Sequence, residues 1–192
     1  MKNKLSFDPE LHRYTLDGAL LPSVTKIIEE IVDHGCPWWT EESLIRGREV
    51  HTLLAQYDRG EELDLELKAR HLGRLNAWMR FRIDTGFAPD LIEESVANET
   101  YRYAGTLDRR GFWHGGRPLL LDIKSGKVPW SASFQLWGYQ LCLPPEEVCL
   151  EHVAVQLGED GTWKSHHFGA LSDRDLWLAA VALYHRKERG NK

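Results

Sequence analysis

Leu119-Leu120-Leu121, running straight into Asp122-Ile123-Lys124, constrains this chain more than any other stretch. Three consecutive apolar residues mark a strand covered on both faces, as in the middle of an α/β sheet. Side chains alternate along a strand, so Asp122 and Lys124 leave by one face and Ile123 by the other. A buried strand that ends in two charges needs a partner for them. Upstream, residues 100–108 also read as a strand, and His114-Gly115-Gly116 offers a tight turn between the two. A hairpin centred on Gly115 sets Asp108 directly across from Asp122. Opposed carboxylates repel by roughly 0.2–1 kcal/mol, and by more when desolvated. A divalent cation between them removes that repulsion, so the pair reads as half of a metal site. An isolated D-x-K is more often a structural ion pair, and the case turns on the rest of the chain.

At 192 residues the chain suffices for one domain with a sizeable core. The expected division is N-terminal additions over 1–39, a core over about 40–170 and a C-terminal helix over about 172–189. A net charge of −5, from 24 Lys+Arg against 29 Asp+Glu, gives no general basic field. Nucleic-acid binding would have to rest on local patches. No apolar run reaches bilayer length and no signal-peptide pattern is present, so a cytoplasmic protein without a membrane partner is expected. Cys36, Cys142 and Cys149 are odd in number and lack C-x-x-C spacing. That argues against a disulfide framework, a structural zinc or a four-cysteine iron–sulfur cluster, and for buried thiols in a reducing cytosol.

Residues 5–21 read as two short strands with a tight turn at Asp17-Gly18. Ser23 is the natural N-cap of a helix continuing through Ile27, Ile28 and Ile31, broken over residues 33–39. A second helix starts at Thr40, and Leu44, Gly47, His51 and Leu54 fall on one stripe, which points His51 inward. A third helix spans about 63–85 with Leu65, Leu72, Leu75 and Met79 as its stripe and Gly86 as its stop. A strand over 91–97 precedes the hairpin. A helix capped by Ser131 or Ser133 runs to Leu143, where Pro144-Pro145 stop it. Residues 149–156 and 162–168 read as strands around a turn at 158–161, and a last helix has Ser172 as N-cap with Asp175 in the capping-box position. The fold class is α/β: a mixed central sheet flanked by helices, with an N-terminal β-hairpin and helical additions.

Further features accompany the aspartates. Glu93 and Glu94 begin the strand before the hairpin, and Gln135 and Tyr139 lie at i, i+4 on one helix face. In order, the chain carries G-x-x-x-H (Gly47 to His51), G-T-L-D (Gly105 to Asp108), D-I-K-S-G (Asp122 to Gly126) and Q-x-x-x-Y (Gln135 to Tyr139). With these motifs the sequence resembles the PD-(D/E)XK nuclease superfamily, in particular its RecB-like and phage exonuclease branch, over about residues 7–168. Its opening H-R-Y-T-L-D-G and L-P-S-V-T also resemble the start of many phage members.

The resemblance implies a restriction-endonuclease-like core in which His51, Asp108, Asp122 and the Ile123 carbonyl bind metal. It implies that Lys124 positions or polarises the attacking water, and that Gln135 and Tyr139 hold the DNA end or support the site. The upstream carboxylate falls on Glu93 or Glu94, with Glu93 better spaced. Hard oxygen ligands with one imidazole suit Mg²⁺ or Mn²⁺, and the cluster cysteines of the iron–sulfur branch are absent. Thr25, Lys26 and Arg46 are further candidates for phosphate contacts, and Trp38-Trp39 for base stacking. The implied activity is metal-dependent hydrolysis of DNA, favouring an exonuclease on DNA ends in recombination, replication or repair, with a single-strand annealing or other recombination protein as partner. A structure-selective endonuclease and a non-catalytic DNA-binding relative are the alternatives.

Overall fold

The computed structural model describes residues 4–32, 40–113, 116–149 and 151–190. At the N-terminus, β1 (Leu5–Asp8), β2 (Arg13–Leu16) and β3 (Ala19–Leu21) form an antiparallel sheet of three strands, where two were expected. The third follows from Asp17 and Gly18, whose φ angles of 51° and 81° make a two-residue turn that matches the twist of the strands it joins. Ser23 then caps α1 (Val24–Ile27), accepting a hydrogen bond from the Lys26 N–H, and a wider helical turn (Ile28–Val32) carries on from it. The break expected over 33–39, with Trp38 and Trp39, lies outside the described residues.

Thr40 caps α2 (Glu41–Arg59) and Asp64 caps α3 (Leu65–Thr85), with Gly60 and Gly86 closing the two helices in the left-handed conformation. The main sheet follows: β4 (Ala88–Asn98), β5 (Tyr103–Phe112) and β6 (Pro118–Lys124), then α4 (Ala132–Gln140), β7 (Glu151–Leu157), β8 (Trp163–Phe168) and α5 (Leu171–Gly190). Its strands lie in chain order, antiparallel except for the parallel pair β6/β7 that α4 connects. The chain is therefore an α/β protein: a mixed five-stranded sheet with helices, plus the small N-terminal sheet.

Strand β6 is covered on both sides, as its apolar run requires. Leu119, Leu121 and Ile123 pack with Val50, Leu53 and Leu54 of α2 and with Leu75, Trp78 and Phe81 of α3. Leu120 packs the other way, with α1, Leu136 and Tyr139 of α4 and Trp177 of α5. Arg109 pairs with Leu121 and Arg110 with Leu120, which is the register expected from a hairpin centred on Gly115. Pairing stops there, so Asp108 and Asp122 come next, where the two strands begin to part. Residues 114 and 115 of the turn lie outside the described residues.

Two helical stripes differ from expectation. In α2 the buried stripe is Val50, Leu53 and Leu54, while Leu44 is exposed and Gly47 and His51 are half-buried. Those three line a cleft, not the core. In α3, Leu65 and Leu72 are exposed, and Leu75, Trp78 and Phe81 carry the packing. Leu65 and Leu72, seven residues apart, share a neighbouring face, and His71, buried on the packed side, takes φ/ψ of −118°/23°, which kinks the helix. The last helix begins at Leu171, so Ser172 lies inside it and not at its cap. Cys142 and Cys149 are free thiols that burial pushes up to about 12, which fits inert interior thiols. No helix among the described residues is long and apolar enough to cross a membrane.

Candidate metal centre

The parting of β5 and β6 leaves strand-end amides and carbonyls without cross-strand partners, and the nearby side chains take them up. Asp108 Oδ2 accepts the Ile123 N–H at 2.6 Å, and His51 Nε2 donates to the Ile123 carbonyl at 3.1 Å. Nδ1 of the same ring lies 3.1 Å from Glu93 Oε1 and 3.6 Å from Asp108 Oδ1. Both ring nitrogens face acceptors, so the ring carries both protons. Burial alone would lower its pKa, but Asp108, Glu93 and Asp122 outweigh burial and push it up to about 9. The imidazolium serves as a cation among the carboxylates.

Asp108 shows the same crowding from the other side. It is 6 % exposed, and burial, with the charges of Asp122 and Glu93, raises it to about 7 against the opposing pull of His51 and Lys124. Asp122 is 1 % exposed. Lys124 Nζ donates to its Oδ1 at 3.0 Å and lies 2.9 Å from Oδ2, which is buried and takes no aligned hydrogen bond. Lys124 also donates to Gln135 Oε1 at 3.0 Å, and Gln135 Nε2 donates to the Tyr139 hydroxyl at 3.0 Å. Tyr139, 4 % exposed, supports Gln135 from the core. It comes that close to β5 because Gly105 has no side chain: a Cβ there would lie 2.6 Å from Tyr139 Cε1.

The carboxylate before the hairpin is Glu93; Glu94 is exposed and points away. Glu93 takes φ of 50° within β4, opposite Asp108, and that position is skipped in a ladder whose register also shifts between Pro89 and Leu91. A non-glycine residue held there costs on the order of 1–3 kcal/mol, and such outliers gather at functional sites. Burial would raise Glu93, but the hydrogen bond to His51 and the charges of His51 and Arg109 hold it below the usual range.

Arg109 is a site residue that sequence reasoning missed. It is fully buried and donates to Glu93 Oε1 at 2.8 Å, to the Asp108 carbonyl at 2.6 Å and to Asp58 Oδ2 at 2.7 Å. Asp58 Oδ1 also accepts from Trp78 Nε1 at 2.9 Å and from Arg82 at 2.7 Å. A charged ladder from α2 and α3 thus fixes Glu93. Adjacency to Asp108 was the only signal for it in the sequence.

The ligand atoms of His51, Glu93 and Asp108 lie within 4.8 Å of one another. Three carboxylates that share one imidazolium and one ammonium, with Arg109 divided between Glu93 and Asp58 and an acceptor of Asp122 left unaligned, make a donor set that suits a hard divalent cation. The residues present fit Mg²⁺ or Mn²⁺. Above them opens a cleft of about 690 Å³ between the N-terminal sheet and α2, lined also by Thr25, Gln135 and Tyr139. Lys124 faces a smaller adjoining pocket of about 100 Å³ that shares Thr25 and Gln135. Two phosphate candidates do not line that cleft: Lys26 pairs with Glu30 and covers the Tyr184 ring, and the Arg46 guanidinium comes close to Gly126, two residues past Lys124. Compared with known proteins, the chain matches no family model and no curated sequence.

Proposed function

We propose that the chain is a metal-dependent DNA nuclease with a restriction-endonuclease-like core, acting on DNA ends. One observation carries the reading: His51, Glu93, Asp108 and Asp122 meet at the open end of β5 and β6, with Lys124 held beside them. Helix α3, strands β4 to β6, helix α4 and strand β7 follow in the order such a core has. Glu93, Asp108, Asp122, His51 and the Ile123 carbonyl would hold Mg²⁺ or Mn²⁺, which would acidify water and offset the charge that gathers on a phosphoryl group under attack.

The chain's own groups do the rest. Asp122 and Gln135 fix the Lys124 ammonium by two hydrogen bonds, so its charge needs no reorganisation when a phosphate arrives. Tyr139 steadies Gln135 from behind. Arg109 keeps Glu93 ionised and aimed at His51. The opposed carboxylates, only partly offset by His51 and Lys124, favour this reading over a non-catalytic DNA-binding relative.

Linear and circular DNA incubated with and without Mg²⁺ or Mn²⁺ test the reading in one gel. Metal-dependent loss of linear DNA alone is the expected result. Cleavage of circular DNA would make the protein an endonuclease. Binding without cleavage in either metal would return it to the non-catalytic class.

A further inference from the structure

Across the cleft from the carboxylates, the N-terminal sheet presents rings. Phe7 and Tyr14 stack with centroids 4.5 Å apart and 22° between planes, and His12 meets both edge-on at 5.4 and 5.7 Å. Tyr14 is buried, and its hydroxyl shares a 2.9 Å hydrogen bond with Thr106, two residues before Asp108. The stack is therefore tied to the strand that carries the carboxylate. Phe7 is half-buried and His12 exposed, and both line the cleft. Facing them on α2 is Arg48, one turn before His51, exposed and lining the same cleft. Among the described residues Arg48 makes no hydrogen bond or ion pair. Burial and then the Arg48 charge lower the His12 pKa, which places the guanidinium near that ring.

Rings on one wall and an unpaired arginine on the other match the two parts of a nucleotide. An aromatic face accepts any base, but only an unpaired base has a face to offer. A free guanidinium accepts the phosphate. We propose that this wall is a subsite for one unpaired nucleotide, its base on Phe7 and His12 and its phosphate on Arg48, so that the strand entering the site is single-stranded DNA. The proposal rests on the nuclease reading above. Packing of the small sheet accounts for Tyr14, which is in its core; it does not account for the exposed His12 or for Arg48.

The test is fluorescence anisotropy in Ca²⁺, with labelled oligothymidine and a blunt hairpin duplex as probes. The wild type should bind oligothymidine more tightly. His12→Ala and Phe7→Leu should each weaken that binding by roughly tenfold, the size of one lost base–ring contact, and leave the hairpin unchanged. Arg48→Gln should lower the salt dependence of single-strand binding by about 0.7 in log–log slope. Equal losses on both probes, no loss on either, or tighter binding of the hairpin would overturn the subsite. Melting temperatures accompany each variant, and if Phe7→Leu does not fold, His12→Ala at its exposed position carries the test. Wild-type protein that cleaves DNA while all three variants bind normally removes the subsite alone. Wild type that neither binds nor cleaves DNA removes the nuclease reading and the subsite with it.

Discussion

Two buried charge clusters sit back to back on β5, and they are built on opposite terms. Around Asp58 one carboxylate takes Arg109, Arg82 and the Trp78 indole, and the Arg109 guanidinium lies 5.8 Å from the Trp78 ring, its Nη2 buried without a hydrogen-bond partner among the described residues. Around Asp108 too many carboxylates share too few cations, and His51 and Asp108 are both displaced far from their ordinary titration ranges. A closed cluster is what a fold needs. An open one, joined to it through Arg109, is what the proposed site for a cation and a phosphate would need.

Substitution should separate the two clusters sharply. Asp108→Asn and Asp122→Asn should each abolish cleavage, by three orders of magnitude or more, with the fold intact. Asp108→Asn should hold or raise the melting temperature measured in EDTA, because it removes a charge that burial and its neighbours oppose. Lys124→Ala should lower turnover by about 10²–10³, the size of one electrostatic group, and change DNA affinity in Ca²⁺ little. Full activity in either aspartate variant would remove the site assignment, and a Lys124 variant that lost stability but kept its rate would return that residue to a structural ion pair.

Asp58→Ala should do the reverse. It takes away the carboxylate to which Arg109 Nε donates, leaving a buried donor without its partner, at a cost of about 3–5 kcal/mol, which for a chain of this size lowers the melting temperature on the order of 10 °C. Turnover per folded molecule should fall less than in the aspartate variants, because Arg109 still reaches Glu93. A thermal melt and an active-site titration on the same preparation give both numbers. An Asp58→Ala protein as stable as wild type would mean that the closed cluster is not what holds the fold here.

How much of this was legible depended on the range of the interaction. The β6 run, the hairpin register, the cap at Ser23, the start of α2 at Thr40 and the motif residues around Asp108 and Asp122 could all be read, because alternation and turn chemistry act within a few residues. Asp58 and Arg109 are 51 residues apart in sequence, and nothing local marks them as partners. The positive φ of Glu93 is imposed from outside the strand. The α3 stripe was set on the face of Leu65 and Leu72, whereas the packed face runs through His71, Leu75, Trp78 and Phe81; His71 Nε2 lies 2.8 Å from Glu49 of α2, a contact that no local pattern marks.

The open cluster should also respond to pH and metal together. Asp108 is raised from 3.8 to about 7, so its contribution to stability is complete below about 3.8 and lost as pH rises through about 7. His51 is raised from 6.5 to about 9, and its contribution is present below 6.5 and lost as pH rises through about 9. Without metal Asp108 therefore lowers stability as pH climbs from about 3.8 to 7, and His51 lowers it further from about 6.5 to 9. Mn²⁺ competes with those protons, so its stabilisation should grow over the same range, reaching about 2.7 kcal/mol at a hundredfold excess over its dissociation constant. Melts in EDTA and in Mn²⁺ at about pH 6.5 and about pH 8.5 measure it. Parallel curves in the two conditions would mean that the cluster does not bind the ion.

The smallest effect expected lies where the site leans on the core. Gly105 lets the Tyr139 ring approach β5, and an alanine Cβ would lie 2.6 Å from Tyr139 Cε1 and 3.3 Å from Val24 Cγ2. Gly105→Ala should cost roughly 1–2 kcal/mol of stability by overpacking, well short of Asp58→Ala. The ring must tilt to relieve the contact, and its hydroxyl then leaves Gln135, which in turn holds Lys124. The variant should therefore lose turnover in its folded fraction by more than a core strain alone would cause, with Mn²⁺ affinity unchanged because no ligand moves. Tyr139→Phe provides the control: it removes the same hydrogen bond without the added methyl. If Tyr139→Phe matches the rate loss of Gly105→Ala but not its stability loss, the chain from Tyr139 through Gln135 to Lys124 is what the glycine protects. If Tyr139→Phe turns over like wild type, the core acts on this site by packing and not through that hydrogen bond.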